Sequence, residues 1–562
     1  MDYSTLVDKY EKLESVPSKL AKTGIVANFF RLVPSDQLSK IVLLLQGRVF
    51  PSSSESELGI ATQMMMKAIS KASGISTENV EGILKKTGDL GLTAEQCVKI
   101  RKQSSLMKKK LTTDHVFENL QKLATITGAG SQDKKLNLIS ELIISAQPKE
   151  AKYIVRTILG ELRIGVAEGL LRDAVVKAFL VDVKSTDEEK KKAVDYALNI
   201  VSDFGEVAKM AKEKGIESLK NVMPFLGKPI QVMLGLAAEK IEDVTGEFGK
   251  VIAEYKYDGM RCQIHKRGPT VWVFTRRLED VTRQFPDVCE FVRKCLKADE
   301  CIVEGEVLGI KNGKPVQFQV LSQRIHRKYD IEKMAKEIPV QVNLFDVVYC
   351  DGKSIFEKPL KERRDILEKI VKPISDKFQL AKQIVSGDAG ELDKFYQEAL
   401  NANQEGIFLK VIDSPYVFGR HVGGWYKIKP IMETLDLAVV GATWGEGTRA
   451  KWLTSYILAC EDPDTGKLLE CGMMSTGLTE EQYKDMTKKL KYLIVSEKNR
   501  TVFVRPKIIV EVGYQEIQKS TNYSSGFALR FPRFIRERTL EKSEPDTLDR
   551  VVSLFKSQGR EG

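Results

Sequence analysis

Glu254-Tyr255-Lys256-Tyr257-Asp258-Gly259-Met260-Arg261 follows an apolar lead-in at residues 251–253, and the two together predict a strand that runs into an Asp-Gly turn. Side chains alternate along a strand, so Glu254, Lys256 and Asp258 share one face while both tyrosines point the other way. A lysine between two carboxylates occurs in surface ion-pair ladders and also as an activated nucleophile. Short charged motifs match by chance, so this stretch alone favours the ladder.

The totals favour a multidomain protein that binds a polyanion. At 562 residues the chain is too long for one core, and three or four domains are expected. Its net charge of +11 is consistent with a basic surface that binds nucleic acid. The N-terminus has no apolar signal region, and no apolar run reaches the roughly 18 residues of a membrane span. We therefore expect a soluble, intracellular protein with no membrane association.

Cysteine and histidine usage limits the chemistry. The eight cysteines include no C-x-x-C pair, so neither a zinc ribbon nor a redox motif is indicated, and reduced thiols are expected. The four histidines are too few and too scattered for a multi-histidine metal site. Catalysis would then depend on lysine, arginine and carboxylate side chains.

Residues 1–222 have the period of amphipathic helices and predict an all-α domain. Examples of such segments are 39–45, 136–146, 150–162 and 168–180. Lys134, Lys135, Arg163 and Arg172 fall in turns or near helix starts, where backbone N–H groups favour phosphate. The pattern fits solvated helix faces equally well.

Residues 221–229 are broken by proline and glycine and predict a linker. A second domain, residues 223–430, alternates strands and helices and is predicted to be α+β. Its predicted strands are 251–257, 261–266, 271–276, 301–310, 340–349, 405–411 and 425–428, and its predicted helices include 361–371 and 391–401.

Residues 431–562 predict a third domain, a β-barrel with the OB-fold. Five short strands with one helix suit that small oligonucleotide-binding barrel. The predicted strands are 435–443, 456–461, 467–473, 501–512 and 527–533, the predicted helix is 480–493, and a frayed tail is expected at 556–562.

Other predicted strands of the second domain also carry ionisable side chains on one face, as its first strand does. Glu304 and Glu306 share a strand face, Lys427 and Lys429 share another, and Glu405 opens a third strand. The apolar strand at residues 344–349 adds an aromatic ring. If these faces line one cleft, carboxylates could hold Mg²⁺, cations could neutralise phosphate and the ring could stack a base. Lys256 would then be a nucleophile that attacks phosphorus as the free amine.

Together these motifs resemble those of the ATP-dependent DNA ligases, the replicative type shared by archaea and eukaryotes. The resemblance covers nearly the whole chain. It is carried by residues 254–261, which hold the K-x-D-G signature, and by residues 274–277, 304–306, 344–349, 405–406, 425–430, 510–517 and 526–533, with 130–135 and 165–169 in the helical domain.

The resemblance implies a role for each matching residue. Lys256 would carry AMP, Glu254 would sit near the adenine amino group, and Phe345 would stack the base. The residues expected around the ribose and phosphates are Arg261, Arg276, Glu306, Arg420, Lys427 and Lys429. Metal ligands would be Glu405, Glu306 and Asp258, with ATP as AMP donor and Mg²⁺, or alternatively Mn²⁺, as the metal.

The implied reaction has three steps. ATP adenylates the lysine, AMP passes to the 5′-phosphate of a nick in duplex DNA, and the adjacent 3′-hydroxyl seals the strand and releases AMP. Such an enzyme serves DNA replication, repair and recombination, and through them the cell cycle and cell division. It is expected to be a monomer, cytoplasmic and nucleoid-associated if archaeal and nuclear if eukaryotic.

This chain departs from the family pattern in two places. The C-terminal motif is usually Arg-x-Asp-Lys, whereas this chain has Arg538-Thr539-Leu540-Glu541-Lys542. Arg530, Arg533, Arg538 and Lys542 therefore all remain candidates for orienting pyrophosphate. The spacing around Arg420 is also one residue off.

Relatives often carry a sliding-clamp motif in the first domain, a glutamine followed by paired aromatics. Here the matching residues are Gln103, Leu106 and Met107, whose apolar pair could fill a clamp pocket. A helix or loop with no partner explains the same residues equally well.

Three other functions share parts of the pattern. An mRNA-capping guanylyltransferase is disfavoured by the long helical region ahead of Lys256, and an NAD-dependent ligase by the lack of a cysteine zinc site. A DNA-binding scaffold with an inactive nucleotidyltransferase fold is disfavoured because Lys256, Asp258, Glu306 and Glu405 are all present.

Overall fold

The computed structural model forms two compact units, Met1–Ile428 and Lys429–Gly562. The residues that it describes are 1–562 except 52, 53, 55, 57, 102–109, 129, 182, 183, 312, 317, 326, 328, 420–422, 431, 432, 446–448, 499 and 559–562.

The first part of the first unit is helical, as predicted. Its helices are α1 (Tyr3–Ser15), α2 (Lys19–Leu32), α3 (Ser35–Leu45), α4 (Thr62–Ser73), α5 (Thr77–Thr87), α6 (Leu90–Ile100), α7 (Thr113–Thr125), α8 (Ser131–Ser145), α9 (Pro148–Ile158), α10 (Glu168–Phe179), α11 (Asp187–Val201) and α12 (Phe204–Lys220). One continuous apolar cluster runs from Tyr3 to Leu219 and forms their core. Among the helices of the described residues, none has the length and apolar character that crossing a membrane requires.

The two arginines proposed as phosphate seats are already paired inside this helical part. Arg163 bonds Asp89 at 3.1 Å and also pairs with Glu161. Arg172 pairs with Asp173 at 3.1 Å and with Asp195 at 3.0 Å. Both guanidinium groups are thus held by neighbouring carboxylates, which weakens the phosphate interpretation of these two positions.

The rest of the first unit is α+β. Its elements are β1 (Leu236–Ala237), α13 (Ile241–Phe248), β2 (Val251–Lys256), β3 (Met260–Arg267), β4 (Thr270–Thr275), α14 (Pro286–Cys295), β5 (Glu300–Lys311), β6 (Lys314–Pro315), α15 (Phe318–Ile325), α16 (Ile331–Glu337), β7 (Val340–Cys350), β8 (Lys353–Ser354), α17 (Leu360–Ile370), β9 (Phe378–Leu380), β10 (Gln383–Ser386), α18 (Ala389–Asn401), β11 (Gly406–Val411) and β12 (Trp425–Ile428). One sheet has the order β1-β12-β11-β2-β10, and the other β4-β3-β5-β7-β8, with β6 on β5 and β9 on β7.

The Asp258-Gly259 turn joins these two sheets. Strand β2 pairs with β10 and β11, whereas β3 pairs with β4 and β5, so the turn does not fold one strand back on the other. A Cβ atom at Gly259 would lie 2.4 Å from the carbonyl oxygen of Val307. Only glycine therefore lets the turn approach β5 this closely.

Two β-bulges in β7 direct side chains away from the strand's regular face. The pairing of β7 with β5 skips Phe345 and Val348. Leu344 and Val347 pack in the core beneath this sheet, whereas both skipped residues join a separate cluster that contains Trp425 of the other sheet. A bulge re-aims a side chain, and here it turns Phe345 toward the space between the sheets.

The predicted linker is packed against its neighbours. Residues 221–229 contain no helix or strand, but Leu226 is buried in the same cluster as Ile200 of α11. The backbone N–H of Gln231 donates to the carbonyl of Asn199 at 2.8 Å, and the ring of Tyr196 lies edge-on to Phe418 with centroids 6.5 Å apart. The helical part and the α+β part therefore share a core.

The second unit is rich in strands. Its elements are β13 (Leu435–Trp444), β14 (Leu453–Glu461), β15 (Leu468–Met474), α19 (Glu480–Lys491), β16 (Ile494–Lys498), β17 (Thr501–Val504), β18 (Ile509–Gly513), β19 (Glu516–Lys519), β20 (Phe527–Arg530), β21 (Arg533–Glu537) and α20 (Leu548–Ser557). The long strand β13 pairs with β14 on one side, and with β18 and then β17 on the other.

Two strand predictions were wrong in this unit. The strand expected at 501–512 is split into β17 and β18, with Pro506 in the gap, because proline cannot donate to a ladder. The strand expected at 527–533 is split at Pro532, and its halves β20 and β21 pair with different partners. The tail expected to fray from residue 556 is still helical at Ser557, and residues 559–562 lie outside the described chain.

The buried pair Arg363–Asp346 is expected to stabilise the α+β part strongly. Both side chains have 0% exposure, and the guanidinium donates to both carboxylate oxygens at 2.9 and 3.0 Å. Replacement of Arg363 by methionine leaves a buried carboxylate without its partner, which costs about 3–5 kcal/mol. Urea unfolding followed by circular dichroism measures this loss.

Lys361→Met is the matched control for Arg363→Met, since it removes a cation paired with an aspartate on the same helix. Lys361 is exposed and lies 3.4 Å from Asp365. The control should cost less than about 1 kcal/mol. Equal losses in the two variants would contradict the importance of the buried pair.

His265 is expected to make the fold acid-sensitive. It is fully buried, its Nδ1 accepts the N–H of Gly227 at 3.2 Å, and burial lowers its pKa to about 3. In the unfolded chain this histidine binds a proton near pH ~6.5, whereas in the folded protein it stays neutral at that pH. Protonation therefore favours the unfolded chain, and the free energy of unfolding falls as the pH drops below ~6.5. Between about pH 6.5 and pH 5 the loss is about 2 kcal/mol. In urea unfolding, His265→Gln should flatten this part of the pH dependence; an unchanged slope would contradict the assignment.

Candidate active site

Charged and aromatic side chains of three adjacent strands share one face of the first sheet. In the antiparallel pairing of β2 with β11, Lys256 lies opposite Gly406 and Glu254 opposite Phe408. In the pairing of β11 with β12, Phe408 lies opposite Lys427. Directly opposed residues point to the same side of a sheet. The register therefore gathers Glu254, Lys256 and Lys427, as their predicted faces required.

The amine of Lys256 contacts the carboxylate of Glu405. The ammonium donates to Glu405 Oε2, and it lies 5.7 Å from the ring centroid of Phe408. Strict alternation would place Glu405 on the opposite face from Gly406. Gly406 has φ +139°, a conformation that favours glycine, and this break in the strand lets the preceding side chain reach Lys256.

Three carboxyl groups surround this lysine. Burial is the largest cause that raises the pKa of Glu306 to about 8; the charges of Lys256 and Arg261 oppose the rise, and those of Glu405 and Asp258 add to it. Glu306 therefore binds a proton near neutral pH in the protein alone. The rise is due mainly to burial and in part to the like charges of Glu405 and Asp258, and a cation placed among these carboxyl groups would oppose it.

The carboxylates suit Mg²⁺ in chemistry but do not form a complete site. Among the residues that the structure describes, no three His, Cys, Asp or Glu side chains gather as a metal-binding group. Mg²⁺ in phosphate-handling sites commonly uses one or two carboxylates, with water and substrate phosphates as its other ligands. The donor set fits that mode, and the joint assignment of Glu405, Glu306 and Asp258 stays a prediction.

Glu254 is held by Lys410, which the sequence interpretation left without a role. Both side chains are buried, and Lys410 Nζ donates to Glu254 Oε2. The Lys410 ammonium lies 4.6 Å from the ring centroid of Phe345 and 4.2 Å from that of Trp425. The predicted base-reading carboxylate and the predicted stacking ring are thus linked through one cation.

Arg261 is a second cation near the Phe345 ring. Its guanidinium donates to the carbonyl of Met233 at 2.7 Å and to Glu304 at 2.8 Å, and its Cζ lies 5.4 Å from the Phe345 centroid. Glu304 has 0% exposure, so its partner is fixed. Glu304 therefore orients Arg261, a role that the sequence interpretation did not assign.

Two further predicted phosphate ligands lie near Lys256. Burial lowers the pKa of Lys427, and the positive charges of Lys256 and Arg276 lower it further. Arg276 is exposed and follows the end of β4. Three cations therefore gather where phosphate charge is expected.

Lys429 begins the second compact unit. Arg420 and the proposed clamp residues Gln103, Leu106 and Met107 are outside the described residues.

The C-terminal candidates are mostly paired within the second unit. Arg530 donates a hydrogen bond to Glu516 at 3.0 Å, and Arg538 forms an ion pair with Glu541 at 2.9 Å. Lys542 contacts Asp546 at 2.7 Å. These carboxylates would have to release their cations before pyrophosphate could be bound by them.

The sequence does contain a sign that Lys410 is buried beside a partner. Lys410 is the single charged residue in the run Gly406-Ile407-Phe408-Leu409-Lys410-Val411. A lone charge in a buried strand requires a buried partner. Glu254 on the neighbouring strand is that partner.

Comparisons with known proteins agree along the whole chain. The family model described as "ATP dependent DNA ligase domain" matches residues 232–429, "DNA ligase N terminus" matches 2–176, and "ATP dependent DNA ligase C terminal region" matches 449–540. The DNA ligase of Nanoarchaeum equitans is 46% identical, with 99% of each chain covered. The DNA ligase of Thermococcus onnurineus is 42% identical, with 100% of this chain and 99% of that protein covered.

A solved structure supports the fold at a greater distance. The structure called Pmar-Lig_PreS3 has a TM-score of 0.58 at 17% identity and covers 95% of this chain and 99% of its own. The protein thus has a helical N-terminal domain, a central adenylation domain and a C-terminal domain. The chain belongs to the ATP-dependent DNA ligases, enzymes that seal nicks in duplex DNA with ATP as the adenylate donor.

Proposed function

We propose that Lys256 is the residue that this ligase adenylates. The observation that carries the proposal is the register of β2 with β11, which sets the Lys256 amine against Glu405 and beside Phe408. Lys256 attacks the α-phosphorus of ATP, a P–N bond forms, and pyrophosphate leaves. AMP then passes to the 5′-phosphate of the nick. The 3′-hydroxyl attacks this phosphate, a phosphodiester bond forms, and AMP leaves.

The remaining side chains position the nucleotide. Glu254 accepts a hydrogen bond from the adenine amino group, and Phe345 stacks the base. Arg261 and Glu306 lie beside the ribose, and their closeness to each other supports this assignment. Arg276, Lys427, Arg420 and Lys429 bind phosphate oxygens, and the gathering of the first two near Lys256 supports that role.

Glu405, Glu306 and Asp258 are the proposed magnesium ligands. Bound Mg²⁺ supplies charge neutralisation at the phosphates. The pKa of Glu306 is raised to about 8 in the protein alone, so this side chain would have to give up a proton to serve as a metal ligand. Lys256 must also part from Glu405 before that carboxylate can turn to a metal.

We assign residues 1–222 to the DNA-binding domain, 223–430 to the adenylation domain and 431–562 to an OB-fold domain. The apolar clusters that lie within these limits support the division. The OB-fold assignment is supported by β13, a long bulged strand that pairs with β14 on one side and with β17 and β18 on the other. Sharing of one bent strand between two parts of a sheet is how a small barrel closes.

We also propose that the enzyme acts as a monomer on nicked duplex DNA in replication, repair and recombination, and so in the cell cycle and cell division. Its archaeal relatives favour a cytoplasmic, nucleoid-associated location. The net charge of +11 supports binding through phosphate contacts.

Incubation with α-labelled ATP and Mg²⁺ should transfer label to the protein, and Lys256→Ala should abolish the transfer, because this variant lacks the amine that contacts Glu405 and would attack the phosphate. Denaturing gel electrophoresis followed by peptide mass spectrometry measures the label and its position. Retention of label by Lys256→Ala would end the assignment.

The same assay separates the alternatives. Label transferred from GTP or NAD in preference to ATP would indicate a capping-type or NAD-dependent enzyme. Absent labelling with intact binding to nicked DNA would indicate a scaffold. As a control, Lys382→Ala removes an exposed lysine, paired with Glu398 beyond the other face of β2, and should label normally.

We propose a sliding clamp as a second partner, bound through Gln103, Leu106 and Met107. Leu106→Ala with Met107→Ala should weaken clamp binding by about tenfold or more, because apolar anchors carry most of such interfaces. Calorimetry with purified clamp measures the affinity, and adenylation should be unchanged.

The matched control for the clamp variant replaces Leu20 and Leu32, which are 76% and 77% exposed elsewhere in the helical domain. Leu20→Ala with Leu32→Ala should bind the clamp normally. Unchanged clamp affinity in the Leu106 and Met107 variant would exclude this contact.

A further inference from the structure

The ammonium of Lys410 is buried between two aromatic rings. Its Nζ lies 4.2 Å from the centroid of Trp425, its partner on β12, and 4.6 Å from the centroid of Phe345, which comes from the other sheet. The side chain is 2% exposed. A lysine this deeply buried needs an anionic partner to offset its lost hydration.

That partner is Glu254, whose carboxylate is held from two directions. Lys410 donates to Oε2, and Arg364 Nη1 of helix α17 lies 4.0 Å from Oε1. The Arg364 Nη1 atom has no hydrogen-bond partner among the described residues, so it adds charge near Glu254 without bonding it. Lys410 is thus the group that fixes where the carboxylate points.

Two lysine–glutamate pairs therefore link β2 to β11 and the residue before it, and the two strands exchange roles between the pairs. In one pair the lysine is on β2 and the glutamate precedes β11; in the other, Glu254 is on β2 and Lys410 on β11. The first pair is partly open, with Lys256 15% exposed, whereas the second is closed to solvent. A closed pair beside the predicted stacking ring suits recognition of a base better than attack on phosphorus.

We propose that Lys410 is a positioning residue that sets the choice of nucleobase, because it holds the Glu254 carboxylate in place as a hydrogen-bond acceptor beside Phe345. The inference rests on the proposed function, in which Glu254 meets the adenine amino group. A carboxylate accepts hydrogen bonds and cannot donate. Adenine presents an amino group at the position where guanine presents an oxygen. Guanine would therefore set one acceptor against another.

Loss of the Lys410 charge changes what Glu254 can do. A buried carboxylate without a bonded cation favours its protonated form, and a protonated carboxyl group can donate as well as accept. Guanine is then no longer rejected, and adenine loses a charge-assisted hydrogen bond. A purely structural role for Lys410 would instead lower the use of ATP and GTP together.

The test compares lysyl-nucleotide formation from ATP and from GTP by the full-length chain with Mg²⁺. Lys410→Met should raise KM for ATP and lower the ATP-to-GTP ratio of kcat/KM by at least about tenfold, with kcat for ATP changed less than KM. Lys410→Arg keeps the charge and should keep most of the ratio. Lys382→Met, which removes the lysine of an exposed pair with Glu398, should behave like the unaltered enzyme.

A double-variant comparison shows whether Lys410 acts through Glu254. Glu254→Gln removes the carboxylate, so adding Lys410→Met to it should leave the ATP-to-GTP ratio unchanged. Replacing both members of a buried pair is tolerated far better than breaking it, so this variant serves even if Lys410→Met alone fails to fold.

Two results would overturn the inference: a ratio for Lys410→Met within about twofold of the unaltered enzyme, or a further fall when Lys410→Met is added to Glu254→Gln. Failure of the proposed function looks different. In that case the unaltered chain takes no label from ATP, or Lys256→Ala still takes it.

Discussion

The antiparallel register of β2 with β11 is the constraint on which the site depends. It opposes Lys256 to Gly406 and Glu254 to Phe408, and it brings Glu254, Lys256 and Lys410 to one face. A slip of one residue would exchange the faces of β2. Tyr255, which packs against Phe395 beneath the sheet, would then enter the cleft and Lys256 would enter the core. Chemistry and core packing thus select the same register.

The second sheet completes the site through two local departures from regular geometry. Gly259 lets the chain pass from β2 to β3 against the backbone of β5, so Lys256 lies at the junction of the sheets. The bulge at Phe345 turns an aromatic ring out of the regular core and toward Lys410 and Arg261. Both departures interrupt regular strand pairing, and both bring a site residue to the space between the sheets.

Much of this could be predicted from sequence because strand alternation is a strong signal. It gave the shared face of Glu254 and Lys256, and the predicted strand at 425–428 matches β12 at both ends. The bulges in β7 could not be predicted, since alternation assumes one residue per step. The strand breaks at Pro506 and Pro532 were visible in principle, because neither proline can donate to a ladder. The partner of Lys410 could not be predicted, because Glu254 is recognised as that partner only when β2 lies beside β11.

The packed segment at residues 221–229 has a consequence for how the chain can be divided. Ile200, on a helix assigned to the first domain, belongs to the same apolar cluster as Leu226 and Trp425. A fragment that begins after residue 222 would therefore lack Ile200, which packs in the apolar cluster around Phe345, and it would expose the apolar surface that Ile200 covers. The catalytic module, as a folding entity, begins upstream of its sequence boundary, and a minimal fragment would have to retain α11 or replace its buried face.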